Sequence, residues 1–284
     1  MTRSTIIAAL LLVELAIIGE AAVALRGGQS APWAALGAGS DVASGTRLLE
    51  GGPHQIYDVG EHPALSVDIG NADLTILTGN ASKIDVSVSP SSDFGIFRAT
   101  APIAARADGT TIRIATNHGR GWSVGDDRMV TIVVPANTQV TVVDAGDIKA
   151  NGLRAEASIT SVGQGSVTLD DYDAPALTIE SNGRISMHQV AAARLDVTSH
   201  NDGVDGTALH VRDGSIESDD RVMLGFASGS DTLVTAEASD GRINVSGYNA
   251  DASTTNEQTV RIGSGNGHLD VHSSDGNITL AREN

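Results

Sequence analysis

The sequence predicts an all-β protein: a parallel β-helix or β-solenoid of short coils, preceded by one N-terminal hydrophobic helix. Three observations lead there. From about residue 56 onward, apolar and polar residues alternate with period two. A turn of the form polar-Gly-x-Ile/Val/Leu recurs through the second half. Aromatics are scarce in 284 residues, at Trp 2, Tyr 3 and Phe 3. The core must then be filled by Ala, Val, Ile, Leu and Thr, which suits the thin interior of a coil.

The chain opens with Arg3 and an apolar run, Ile6 to Leu25, interrupted by Glu14, Gly19 and Glu20. A helix of that length spans about 30 Å, enough for a hydrocarbon core. Each of the two carboxylates would cost on the order of 3 kcal/mol near the bilayer centre. The alternative is a signal peptide, with Arg3 as its basic region, Ile6–Ile18 as its apolar region and Ala22-Val23-Ala24 as a small-x-small cleavage site. Residues 1–26 therefore read as a transmembrane anchor or signal peptide. Either way the remainder is delivered outside the cytoplasm, to the periplasm or cell surface, or is secreted after cleavage. Residues 27–55, rich in Gly, Ala and Ser and without a period, read as a flexible linker. Residues 56–284 read as the β-strand-repeat domain.

The first strands of that domain are written in alternation: Leu65-Ser66-Val67-Asp68-Ile69, Leu74-Thr75-Ile76 and Ile84-Asp85-Val86-Ser87-Val88, then Ile112-Arg113-Ile114 and Val130-Thr131-Ile132-Val133-Val134. β-Branched residues at period two mark strands with one buried face. The repeat follows as Gly146-Asp147-Ile148, Gly165-Ser166-Val167, Gly183-Arg184-Ile185, Gly214-Ser215-Ile216, Gly241-Arg242-Ile243, Gly267-His268-Leu269 and Gly276-Asn277-Ile278. The first intervals are 19 and 18 residues; the later ones are 31, 27, 26 and 9. A weaker copy at Asp202-Gly203-Val204 splits the interval of 31. A short strand cannot bury its apolar face alone but can when stacked on the next coil. Glycine is expected to supply positive φ at each corner, and the residue two places later to point inward. Asn182-Gly183, Asp240-Gly241 and Asp275-Gly276 also suit two-residue hairpins, which leaves an antiparallel sandwich or meander as the rival architecture.

The strings Ile179-Glu180-Ser181-Asn182-Gly183-Arg184-Ile185, Ala236-Glu237-Ala238-Ser239-Asp240-Gly241-Arg242-Ile243-Asn244-Val245 and Val271-His272-Ser273-Ser274-Asp275-Gly276-Asn277-Ile278-Thr279-Leu280 resemble a bacterial family of exported β-strand-repeat proteins of unknown function, the putative adhesins. Val134-Pro135-Ala136-Asn137-Thr138, leading into the first copy, is similar to the way that family enters its repeats. The resemblance covers roughly 60–284 and is best over 130–284. It implies a right-handed β-helix or similar parallel solenoid on the cell surface or in the periplasm, and it offers no catalytic residues.

Charge and composition exclude several function classes. Lys+Arg 18 against Asp+Glu 35 gives a net charge of −17, and the lysines are Lys83 and Lys149. Such a chain cannot neutralise a nucleic-acid backbone. Zero cysteines exclude disulfides, thiolate metal sites, thiol catalysis and a lipidated cysteine. No nucleophile elbow, phosphate loop, His-Glu-x-x-His or EF-hand motif occurs. Gly263-Ser264-Gly265-Asn266-Gly267 lacks the helix that would present N–H groups to phosphate.

The sharpest local pattern is His268-Leu269-Asp270-Val271-His272. On a strand, His268, Asp270 and His272 share the outer face, while Leu269 and Val271 enter the core. Neighbours two apart lie about 6.6 Å from each other and the outer pair about 13 Å, so the three do not reach one ion unaided. Asp126-Asp127, Asp170-Asp171 with Asp173, and Asp219-Asp220 are acidic corners, read as solvated. Arg184, Arg194 and Arg242 are expected to pair with outer-face carboxylates. Tyr172 and Tyr248 stand alone. Phe94, Ile96 and Phe97, between Pro90 and Pro102, and Trp122 are read as cap or core.

No catalytic, cofactor-binding or metal site is assigned, and no cofactor is expected. The sequence reads as an exported cell-envelope solenoid that acts as a non-enzymatic binding, adhesion or structural surface. Its partners would be an envelope protein, a polysaccharide or itself, with the membrane reached through the N-terminal segment and no nucleic acid bound. The alternatives are an enzyme on envelope glycans and a ligand-sensing ectodomain of an envelope-stress or regulatory system.

Overall fold

The computed structural model describes residues 46–48, 54–79, 82–89, 103–116, 128–161, 163–248, 250–253 and 256–283. All belong to the unit Gly45–Asn284. The N-terminal segment 1–26, most of 27–55, Phe94, Ile96, Phe97, Trp122 and Asp126-Asp127 lie outside the described residues. Every regular element described is a strand. Among the described residues no helix is long and apolar enough to cross a membrane.

The first strands are short: β1 (Thr46–Leu48), β2 (Gln55–Asp58), β3 (Ala64–Asp68), β4 (Asp73–Thr78), β5 (Lys83–Ser89), β6 (Ile103–Asp108), β7 (Thr111–Thr116), β8 (Met129–Val134), β9 (Gln139–Asp144), β10 (Ile148–Asn151) and β11 (Ala157–Ser161). Three strands of 15 residues follow, β12 (Val167–Ser181), β13 (Ile185–Ser199) and β14 (Val204–Ser218). The chain ends with β15 (Val222–Phe226), β16 (Thr232–Ala238), β17 (Ile243–Ser246), β18 (Ala250–Ser253), β19 (Glu257–Ile262), β20 (Gly267–Ser273) and β21 (Ile278–Arg282). β1 falls within the stretch expected to be linker.

The strands form two ladders. One runs β8–β4–β10–β12–β13–β14–β15–β21–β17 and is parallel throughout. The other runs β7–β3–β9–β11–β12–β13–β14–β20–β16, also parallel. The long strands serve both: the first part of β12 pairs with β10 and its last part with β11. Between the two parts each long strand bends at a non-glycine residue of positive φ, Asp171 at 52°, Gln189 at 53° and Ala208 at 52°. Antiparallel pairing is confined to the ends, with β5 and β2 outside β8, β6 and β1 outside β7, and β19 and β18 outside β16. The stack is therefore solenoid-like, and the Asn-Gly and Asp-Gly turns cross from the second ladder to the first instead of closing hairpins.

Register explains the stability of the stack. Val130, Leu74, Ile148, Val167, Ile185, Val204, Val222, Ile278 and Ile243 stand side by side along the first ladder. Ile114, Val67, Val142, Ile159, Ile179, Val197, Ile216, Val271 and Ala236 do so along the second. All are buried, and they belong to one core. Burying each such side chain contributes roughly 1.5–3 kcal/mol, and only the next coil can provide the cover.

The period is more regular than the glycines suggest. Ile148, Val167, Ile185, Val204 and Val222 follow at 19, 18, 19 and 18 residues. Glycine stands two places before Ile148, Val167 and Ile185, but Asp202 and Asp220 hold that place before Val204 and Val222. Gly214 and Gly267 belong to a different place, inside β14 and at the start of β20. Irregularity also arises because chain order and spatial order differ. The first coil, β3–β4, sits between β7–β8 and β9–β10; the last, β20–β21, sits between β14–β15 and β16–β17.

The corner glycines work by a different physical cause from the one expected. None of Gly146, Gly165, Gly183, Gly203, Gly241 and Gly276 has positive φ. Each lies against the backbone of a neighbouring coil: Gly146 on Asn71, Gly165 on Gly146, Gly183 on Gly165, Gly203 on Arg221, Gly241 on Gly276 and Gly276 on Arg221. A side chain has no room there. Beside them runs a buried file of serines that the sequence reading missed, Ser161, Ser181, Ser199, Ser218 and Ser273, in register on successive coils. Their hydroxyls donate to corner carbonyls: Ser181 to Gly165 at 3.1 Å, Ser199 to Gly183 at 3.2 Å, Ser218 to Asp202 at 3.0 Å and Ser273 to Asp220 at 2.9 Å. A buried carbonyl left without a donor would cost about 1–3 kcal/mol. The serine file and the glycine file together let the corners stack.

Candidate binding surface

Alternation along each strand leaves two outward faces. On the first ladder, Thr75, Lys149, Thr168, Ser186 and Asp205 follow one another on successive strands. Side chains there bond from coil to coil. The Ser166 hydroxyl donates to Asp147 at 3.0 Å and the Asn151 amide to Asp170 at 3.0 Å. His188 Nδ1 lies 2.8 Å from the other oxygen of Asp170. Arg184 Nε donates to Asp205 Oδ2 at 2.7 Å, and Arg221 lies 4.0 Å from the same oxygen. The Asp205 carboxylate holds the Arg184 guanidinium above its ordinary pKa. Asp205 Oδ1 is buried without a hydrogen-bond partner.

The second face is more acidic. Glu180, Asp196, Asp213, Glu217, Asp270 and Glu237 stand on its C-terminal coils. Arg194 Nε donates to Asp196 at 2.6 Å, which raises the arginine's pKa. Arg212 Nε donates to Asp213 at 2.8 Å, and with the His268 backbone N–H this lowers the Asp213 pKa. These pairs are solvated, and exposed ion pairs of this kind add little to stability.

The pattern His268 to His272 is a strand as expected, with Leu269 and Val271 buried and His268 and Asp270 exposed. His268 Nε2 lies 2.9 Å from Asp270 Oδ1. Among the described residues no group of three or more His, Asp or Glu could hold a metal ion. The acidic corner at Asp170, Asp171 and Asp173 does not converge on one point: Asp170 pairs with His188 and Asn151, Asp171 with Arg154 at 2.7 Å. Arg184 and Arg194 pair with aspartates as expected, while the Arg242 backbone N–H donates to Asn277.

The tyrosines are structural. Tyr172 sits beside the bend at Asp171, its hydroxyl donating to the Ala176 carbonyl, and burial pushes its pKa up. Tyr248 meets Phe226 edge-on, ring centres 6.5 Å apart, and burial raises its pKa too. The residues that sequence reasoning passed over are the serine file, the positive-φ bends and Asp205. A signal for the first existed: Ser precedes the corner by two to four residues at Ser181, Ser199 and Ser273.

A family model described as Toastrack DUF4097 matches residues 62–254. The chain belongs to the Toastrack DUF4097 family. The matched segment takes in most of both ladders, and the match agrees with the resemblance drawn from the Asn-Gly and Asp-Gly corners. No curated protein matches the chain. Among solved structures it is similar to a putative cell adhesion protein from Clostridium sporogenes, at 12% identity and a TM-score of 0.35, covering 81% of this chain and 99% of that one. A putative adhesin from Bacteroides fragilis is 11% identical with a TM-score of 0.33, covering 81% and 96%. A putative lipid binding protein from Parabacteroides distasonis is 8% identical with a TM-score of 0.38, covering 82% and 96%.

Proposed function

We propose that this Toastrack chain is a non-enzymatic binding module of the cell envelope. Residues 1–26 deliver it across the membrane as an anchor or a cleaved signal, and 56–284 present its ladders outside the cytoplasm. The observation that carries this reading is the first outer face, where hydroxyl, amide and charged groups repeat at the strand spacing of about 4.8 Å and bond from coil to coil. Side chains held that way are pre-ordered, so an extended partner binds them at a lower entropic cost. Many weak contacts then add along the stack. The partner is an envelope protein or polysaccharide, or a second copy; no cofactor takes part.

The test is a pull-down with the full chain from envelope extracts and a panel of envelope polysaccharides, beside a variant carrying Thr75→Lys, Thr168→Lys and Ser186→Lys. Capture that the variant loses is the expected result. Turnover of a polysaccharide, abolished by changing one outer-face carboxylate, would overturn it. Fractionation with mass spectrometry of the mature N-terminus tests the delivery.

A further inference from the structure

One row on the first ladder carries arginine on every second strand. It lies immediately before the inward row. Arg184 precedes Ile185 on β13, Gly203 precedes Val204 on β14 and Arg221 precedes Val222 on β15; Asn277 precedes Ile278 on β21 and Arg242 precedes Ile243 on β17. Backbone bonds hold the row in line. The carbonyls of Gly203, Arg221, Asn277 and Arg242 accept in turn from the N–H groups of Ile185, Val204, Val222 and Ile278. All three arginines are exposed. Strands two apart are separated by about 9.6 Å, and so are successive arginines.

Their charge is only partly spent. Arg184 Nε donates to Asp205 Oδ2 at 2.7 Å, while Arg221 stands 4.0 Å from the same oxygen, beyond hydrogen-bond reach. Among the described residues the Arg242 guanidinium has no ion-pair partner; its backbone N–H donates to the Asn277 side-chain oxygen at 2.8 Å. The first face from β13 to β17 therefore sets three guanidiniums against the single carboxylate of Asp205, on a chain of net charge −17. No side chain rises between Arg184 and Arg221, because Gly203 holds that place. Between Arg221 and Arg242 stands the exposed Asn277 amide, its oxygen engaged and its NH2 left to donate.

We infer that this arginine row binds a linear polysaccharide carrying one carboxylate on every second sugar. The site goes beyond the function proposed above, since it starts at β13, where the hydroxyl-bearing stretch from Thr75 to Ser186 ends. An extended 1,4-linked disaccharide is close to the two-strand interval in length, so alternate uronates meet the guanidiniums in step. Planar carboxylates suit the guanidinium fork. The neutral sugars then lie over Gly203 and beside the Asn277 amide. An extended peptide repeats its same-side groups at about 6.6 Å and a nucleic-acid strand its phosphates at about 3.4 Å, both out of step. A polymer charged at every unit would also press its surplus anions toward Asp202, Asp220 and Asp240, exposed at the corners beside the row.

The test uses the full, unaltered chain at physiological ionic strength, where charges beyond about 8 Å are screened. Hyaluronan, unsulfated chondroitin and heparosan each alternate a uronate with a neutral amino sugar. Biolayer interferometry compares them with their carboxyl-reduced forms, with polygalacturonate and with polyglutamate. At least one of the three is expected to bind, about tenfold more weakly once its carboxyls are reduced, which is the worth of one charge-assisted hydrogen bond. Polygalacturonate and polyglutamate are expected to bind more weakly than that polymer. Arg242→Gln should weaken binding about tenfold, and Arg194→Gln, on the second face, should leave it unchanged. The Thr75→Lys, Thr168→Lys and Ser186→Lys variant keeps all three arginines and should hold the polymer at least as tightly. Loss in that variant would overturn the row as a site of its own, whereas its loss of other partners bears on the function proposed above alone. Binding of none of the three, equal binding of the carboxyl-reduced forms, indifference to Arg242→Gln, or tighter binding of polygalacturonate or polyglutamate would each overturn the inference.

Discussion

Replacing Gly203 by alanine separates two explanations of the corner glycines. A Cβ at this position would lie 2.6 Å from the Arg221 carbonyl oxygen. Packed methyl groups need at least about 3.0–3.4 Å from such an oxygen, so the two coils must part by roughly 0.4–0.8 Å at this point. That same carbonyl accepts from the Val204 N–H at 3.0 Å, and the displacement stretches this bond past useful length. Overpacking costs about 1–3 kcal/mol and a weakened ladder bond about 1 more. The expected loss is about 3 kcal/mol, roughly 6–12 °C in Tm for a domain of this size. Gly229 is the control: its φ is 92° and nothing lies within 4 Å of a Cβ built there. Alanine there costs about 1 kcal/mol, and asparagine, which tolerates positive φ, less. At Gly203 asparagine should be no milder than alanine. Urea and thermal unfolding of the four variants, followed by circular dichroism, give the comparison. Rescue by asparagine at Gly203 would refute the close-packing account and restore the conformational one.

Other consequences follow from the same architecture. Ile185→Ala, in the middle of the first inward row, should cost about 2–5 kcal/mol, while Thr168→Ala on the outer face stays within about 0.5 kcal/mol; equal costs would mean that the faces are misassigned. Ser199→Ala leaves the Gly183 carbonyl without its hydroxyl donor and should cost about 1–3 kcal/mol by chemical denaturation, against under 1 for Ser186→Ala. Asp231 has a pKa lowered by the Asn266 amide and backbone N–H and the Ser264 hydroxyl. Its folded value is below its unfolded one, so its stabilisation is present above the ordinary carboxylate pKa and disappears as pH falls through the folded value. Stability measured from pH 6 down through the acid range should fall less steeply in Asp231→Asn than in the unaltered chain, and an unchanged slope would deny the carboxylate its role in holding the Ser264–Asn266 loop.

Much of the fold was legible because strand alternation is a local property. Leu65 and Val67, Ile112 and Ile114, and Leu269 and Val271 are spaced by two, and burial follows that spacing wherever one face is covered. The corner repeat was legible for the same reason, since Gly183-Arg184-Ile185 places an inward residue two positions after the corner. The candidate surface was legible in part: Arg184 and Arg194 could be paired with carboxylates by kind. That Asp205 is the partner of Arg184 could not be read, because the two are 21 residues apart and meet only through the register of β13 on β14.

The sequence by itself determined the strand class, the inward and outward residues and a coil period near 19, because each depends on neighbours along the chain. Tertiary structure alone decided which strands lie side by side. It set the last coil between two earlier ones, put the bends at Asp171, Gln189 and Ala208, and gave the corner glycines their reason. Those outcomes arise between coils distant in sequence, where a backbone hydrogen bond or a missing Cβ is felt only once the neighbouring coil has arrived.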